Sequence, residues 1–124
     1  MRRIRSANTR PELAVRSCAH RCGYRFGLRP TDLPGKPDLV FRSRKAVIFV
    51  HGCFWHQHGT CIDGSRIPKT NRKYWSEKLR RNKRRDARVI RKLKSLGWKV
   101  LIVWECQAVS GTQLASRLRR FFGS

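Results

Sequence analysis

Acidic residues are scarce: seven Asp and Glu stand against thirty Lys and Arg, a formal charge of +23 over 124 residues. A chain so one-sided repels itself unless a polyanion lies beside it. Nucleic acid is the natural polyanion, because each phosphate neutralised by Lys or Arg releases counterions. Long apolar runs are also absent, as are signal-peptide and lipidation motifs. Their absence sets aside a membrane-bound or secreted protein and points to the cytoplasm. The five cysteines are an odd number. Without a secretion signal they argue against a disulfide framework and for thiolate–metal binding. No repeat or linker interrupts the chain, so it reads as a basic arm over residues 1–8 followed by a single domain over 9–124. At 40% hydrophobic its core is modest, and a bound metal would help to hold it.

"TRPE" (9–12) reads as a capping box, with Thr9 as N-cap, Pro11 in the first turn and Glu12 three residues in. The helix it opens runs to about Cys22, where Gly23 stops it. Residues 24–28 suit a short strand, and "PTDLPGKP" (30–37) a loop. "DLVFRSRKAVIFVHG" (38–52) reads as a hairpin, with strands at Leu39–Phe41 and Ala46–His51 around a turn at Ser43–Lys45. The second strand is wholly apolar up to His51 and belongs in mid-sheet. Residues 52–70 are irregular, a long helix covers 71–96, and "WKVLIVWE" (98–105) is another buried strand. Ser110 or Thr112 caps a last helix to about Phe122. The order α-β-β-β-α-β-α predicts an α/β fold, a mixed central sheet flanked by helices.

In the long helix, positions 75, 79, 82, 86, 90, 93 and 96 share a stripe reading Trp, Leu, Asn, Asp, Ile, Leu, Leu. Asn82 and Asp86 interrupt its apolar character. Either they lie on a solvated edge, Asp86 pairing with Arg85, or both point into a site. The flanks carry Lys78, Arg80, Arg81, Lys83, Arg84, Arg85 and Arg88, a surface suited to phosphates.

Because acids are few, each can be weighed. Glu12 reads first as the capping-box acid, a role sufficient to explain it. Asp32 and Asp63 fall in loops, Glu77 is an exposed helix charge and Glu105 ends a strand. Asp38 stands after Pro37 at the mouth of an apolar strand, near the end of the strand that delivers His51. That position suits a divalent ion held against a phosphate, and equally a turn Asp that caps the loop.

"HGCFWHQHGTC" (51–61) concentrates the remaining chemistry. Cys53, His56, His58, Cys61 and the distant Cys106 offer more than the four ligands tetrahedral zinc requires. Spacing does not choose between His56 and His58, and the plain alternative is a loop with reduced thiols. Cys18 and Cys22, one helical turn apart, suit core packing. His51 and one of His56 and His58 are left over, and histidine moves protons near neutral pH. Phe54 and Trp55 either roof the loop or form a wedge for a base stack.

Taken in order, "LPGKPDLVF", "HGCFWHQHGTC", "KTNRKYWSEKLRRNKRRD" and "LGWKVLIVWEC" resemble the very short patch repair, or Vsr, endonucleases over residues 33–106. The resemblance implies a restriction-endonuclease-like fold of the PD-(D/E)xK type with a structural zinc site. It implies a magnesium-dependent nick 5′ to the thymine of a T:G mismatch in double-stranded DNA. The enzyme would be a monomer at the bacterial nucleoid, with mismatch-repair proteins as candidate partners. By motif position Asp38 binds magnesium, with the Val50 backbone carbonyl beside it. His51 and His56 are the active-site histidines, and Glu12 and Asp86 complete the site. Zinc falls to Cys53, His58, Cys61 and Cys106. Phe54, Trp55 and Trp75 match aromatics inserted beside the mismatch, and Lys78 and Asn82 match DNA contacts. The chain departs from some members in carrying Val50 where they carry Thr. The Glu-x-Lys that follows Pro-Asp in restriction enzymes is absent. A non-catalytic zinc module that binds nucleic acid is the first alternative. A related nuclease with another DNA target is the second.

Overall fold

The computed structural model describes residues 9–52, 70–108 and 111–123. Thr9 is extended, and its hydroxyl accepts the N–H of Glu12 at 3.4 Å, so helix α1 (Arg10–Arg21) starts at the cap signal. Gly23, at φ +85°, lets the chain turn out of the helix, and the Tyr24 amide returns to the Ala19 carbonyl at 3.0 Å.

Four strands follow: β1 (Gly27–Leu28), β2 (Leu39–Phe41), β3 (Ala46–His51) and β4 (Lys99–Trp104). They lie side by side in chain order, the first two pairs antiparallel and β3–β4 parallel. β2 and β3 form the expected hairpin, joined by a 3-10 turn at Arg42–Arg44. Asp32 accepts two hydrogen bonds from Arg42, at 2.9 and 3.2 Å, which tack the preceding loop to this turn. That guanidinium holds the Asp32 carboxyl below the usual carboxylate range. Parallel neighbours need a long crossover. Here it includes helix α2 (Arg72–Ser95), and helix α3 (Gly111–Phe122) closes the described fold.

Side chains alternate across the sheet and divide the core in two. Leu39, Phe41, Ala46, Ile48 and Val103 meet Val15, Cys18 and Ala19 of α1 and Leu114 and Leu118 of α3. On the other face Val40, Val47 and Phe49 meet Leu93 of α2, with Val89 at the margin. The result is a mixed sheet between two helical layers. Cys18 is core, as expected, and burial pushes its thiol upward, with Cys22 adding to the effect.

Some readings need correction. The strand expected over residues 24–28 is confined to Gly27–Leu28. β4 is mostly half-buried, with Val103 its one buried residue. It lies at the edge of the described sheet, where apolar residues are covered on their faces but not along the backbone. The apolar stripe of α2 is narrower than its spacing suggests: Leu79 and Leu93 are buried, while Leu96 is 45% exposed just past the helix end. Thr112 lies inside α3, and Ser110 lies outside the described residues. Among the described residues, no helix is long and apolar enough to cross a membrane.

Candidate active site

The alternation that builds the core also gathers the site. Val47 and Phe49 face α2, so His51, two residues further on, faces it too. On the paired strand Val40 faces α2, which places Asp38 on the same side. The Val50 N–H donates to Asp38 Oδ2 at 2.7 Å and fixes that carboxylate at the end of the hairpin. In a strand the N–H and C=O of one residue face the same neighbour. The Val50 carbonyl therefore lies on the Asp38 side, and two hard oxygen donors share one edge. His51 is 6% exposed, its ring held between Phe49 and Trp104 at centroid distances of 5.7 and 5.3 Å.

A cleft of about 560 Å³ opens here, between the end of the hairpin and α2. Asp38, Val50 and His51 line it from the sheet and Asp86 from the helix. Asp86 thus lines the cleft. Asn82 does not join it: it lines a separate depression of about 740 Å³ with Lys78, Arg81, Arg84, Arg88 and Arg91. Its Oδ1 accepts from Arg85 at 3.4 Å. Four residues advance a helix by about 40° beyond one full turn, enough to send the two side chains to neighbouring surfaces. Trp75 is half-buried near the start of α2, its ring 5.3 Å from that of Tyr74, and Lys78 Nζ lies 5.9 Å from the Tyr74 ring.

Glu12 is more than a cap. It is 1% exposed, and its Oε2 accepts from Arg29 Nη1 at 2.6 Å, with Arg16 at 3.6 Å. A capping acid needs no such burial, so the ion pairs with Arg29 and Arg16 come in addition to its place in the cap. Arg29 has φ +43°, and its amide donates to the Asp38 carbonyl at 3.3 Å. Glu12 is thereby tied through Arg29 to the residue that carries the site, although it does not line the cleft itself.

The family model described as "DNA mismatch endonuclease Vsr" matches residues 1–62. The chain belongs to the Vsr family. It is 51% identical over 119 residues to the type II nicking enzyme V.XorIIP of Xanthomonas oryzae pv. oryzae, covering 96% of this chain and 86% of that one. It is 48% identical over 110 residues to the type II nicking enzyme V.NaeI of Lentzea aerocolonigenes, covering 85% and 64%. With the DNA mismatch endonuclease Vsr of Escherichia coli it is 42% identical over 106 residues, covering 86% and 67%. The chain is a Vsr-family DNA endonuclease, and its charge is that of a protein working on a polyanion.

Several residues singled out in this family pattern, Cys53, Phe54, Trp55, His56, His58 and Cys61, lie outside the described residues. Cys106 is described: it is exposed, in the 3-10 turn Glu105–Gln107 after β4. Among the described residues, no three His, Cys, Asp or Glu side chains form a metal-holding group. The expected zinc site, which needs Cys53, His58 and Cys61 beside Cys106, lies largely outside them. Among the described residues, Asp38, His51 and Asp86 share a cleft, and the carboxylate oxygens are of the hard kind that magnesium takes together with a substrate phosphate.

Sequence reasoning missed three basic residues. Arg29 pairs with Glu12 across 17 positions, a separation no local pattern reports. Lys36 and Arg85 line the cleft beside Asp38 and Asp86. In the sequence Arg85 reads as a flanking charge or as a surface partner of Asp86, and Lys36 only as part of a loop.

Proposed function

We propose that this chain nicks one strand of duplex DNA 5′ to the thymine of a T:G mismatch, in a magnesium-dependent hydrolysis that starts very short patch repair. The observation that supports this most is the shared oxygen edge of Asp38 and Val50, with His51 and Asp86 in the same cleft. The name of the Escherichia coli relative, a DNA mismatch endonuclease, and those of the nicking enzymes support a single-strand cut at a mismatch.

On this reading the Asp38 carboxylate and the Val50 carbonyl hold magnesium, a fit to their hard oxygen chemistry. When bound, the ion supplies Lewis-acid polarisation of the phosphate. His56 would take a proton from the attacking water or orient it, and His51 would offer a hydrogen bond to the water shell of the ion. Glu12 and Asp86 complete the acidic set. Cys53, His58, Cys61 and Cys106 hold a structural zinc, which keeps thiolate and imidazole ligands apart from the oxygen site. Phe54, Trp55 and Trp75 enter beside the mismatch, where a wobble pair opens more easily than a matched one. Lys78 and Asn82 contact the backbone. The fold is of the restriction-endonuclease type, and the chain works as a monomer in the cytoplasm, with mismatch-repair proteins as partners.

Labelled duplexes incubated with magnesium test the reading. A nick at the T:G duplex and none at its matched counterpart is expected, with activity lost in a chelator. Equal nicking of matched DNA would point to a nuclease with another target. Binding without any nick would point to a non-catalytic module. For the clamp, elemental analysis should find about one zinc per chain, lost in Cys106→Ala. A zinc-free, folded and active protein would refute it.

A further inference from the structure

We propose that Lys36 is a catalytic residue, its ammonium set against a non-bridging oxygen of the scissile phosphate. The inference rests on the phosphodiesterase reading above and adds a group to its site.

The cleft contains two carboxylates, Asp38 and Asp86, and two cations, Lys36 and Arg85. The strand that follows the Pro-Asp pair, β3, reads Ala-Val-Ile-Phe-Val-His and brings no Lys or Arg into the cleft. The transition state of phosphodiester hydrolysis gathers negative charge on the phosphoryl oxygens, and a fixed cation aimed there is stronger in a partly dehydrated cleft than in water. Lys36, an exposed residue, lines the same cleft two residues before Asp38.

Its backbone supports a placed rather than incidental residue. Lys36 has φ +46°, a left-handed conformation that side-chain-bearing residues seldom adopt. Its amide donates to the Leu33 carbonyl at 3.4 Å, closing the turn. Gly35 before it, at φ +77°, lies so near α2 that an added Cβ would come within 2.3 Å of Val89 Cγ1. The turn is thus pressed onto the helix that carries Arg85 and Asp86. Pro37 after it is buried. Lys36 takes part in none of the ion pairs seen among the described residues, which involve Glu12 with Arg16 and Arg29, and Asp32 with Arg42. Among the described residues no carboxylate lies within ion-pair distance of its ammonium. Non-glycine residues in this conformation cluster where function holds them against their preference.

Two substitutions separate catalysis from loop structure. Lys36→Gly suits the left-handed backbone and should leave the thermal midpoint unchanged or higher. Lys36→Arg keeps the charge. Single-turnover nicking is measured on the T:G duplex, or on whichever duplex the wild type cuts, alongside duplex affinity in calcium. Lys36→Gly should slow nicking about 100-fold while affinity changes by less than about threefold, and Lys36→Arg should recover at least a tenth of the lost rate. If Lys36→Gly nicks within threefold of the wild type, Lys36 is only a loop residue and the proposal fails. An equal loss in rate and affinity would make it a binding contact and would also overturn it. A wild type that cuts matched DNA as well as mismatched DNA defeats the T:G assignment but leaves this comparison intact. A wild type that cuts nothing defeats both.

Discussion

Asp38→Asn should remove nicking while leaving the fold and duplex binding in place. The carboxylate has two duties that this substitution separates. Oδ2 accepts the Val50 N–H at 2.7 Å, and an amide oxygen can continue to do so. The negative charge that would hold magnesium beside the Val50 carbonyl is lost. Loss of the Lewis acid should lower the single-turnover rate by about 10³-fold or more, since its share of transition-state stabilisation is several kcal/mol. Affinity for the duplex without magnesium should stay within about threefold or improve, because a carboxylate facing phosphate is repulsive. Asp38→Ala should show the same rate loss and also a stability loss of about 2 kcal/mol, because the Val50 N–H loses a charged acceptor. An Asp38→Asn protein that keeps a tenth of the wild-type rate would leave the oxygen edge without its assigned role.

Asp38 was legible in the sequence because its signal is local: a Pro-Asp pair at the mouth of an apolar strand, with His51 on the next. The sheet then does what period-two alternation requires and turns both toward α2. The start of α1 was legible for the same reason, since Thr9 and Glu12 sit three residues apart. What the sequence hid depends on distance or on small rotations. The Glu12–Arg29 pair joins a helix to the end of a strand, and its acid had already been explained by a cap. Asn82 and Asp86 share a stripe by spacing, yet one lines the basic depression and the other the cleft. β4 looks buried because both of its faces are apolar, but burial also depends on what lies along its edge. Lys36 was overlooked because a lysine in a Pro-Gly loop carries no pattern. Its meaning comes from a left-handed backbone and from the contact of the preceding Gly35 with Val89, more than fifty positions away.

That contact gives the second large effect. Gly35→Ala should destabilise the protein by about 3 kcal/mol and lower its thermal midpoint by about 10 °C. Part of the loss is conformational, because φ +77° at this position favours glycine. The remainder is steric: the new methyl would lie 2.3 Å from Val89 Cγ1, inside any real contact. Val89 cannot easily swing aside, since a β-branched side chain on a helix has essentially one rotamer. The loop has to lift from α2, carrying Lys36 and the approach to Asp38 with it. A displacement of about 1 Å at reacting groups can lower a rate about 100-fold, so nicking should fall further than stability alone would explain. Val89→Ala in the same chain should relieve the steric part and leave the conformational part. The pair should therefore couple by about 1–2 kcal/mol, with the double variant more stable than the sum of the two single changes predicts. Strict additivity would mean that Gly35 and Val89 do not meet, and the hold of α2 on the catalytic loop would have to be sought elsewhere.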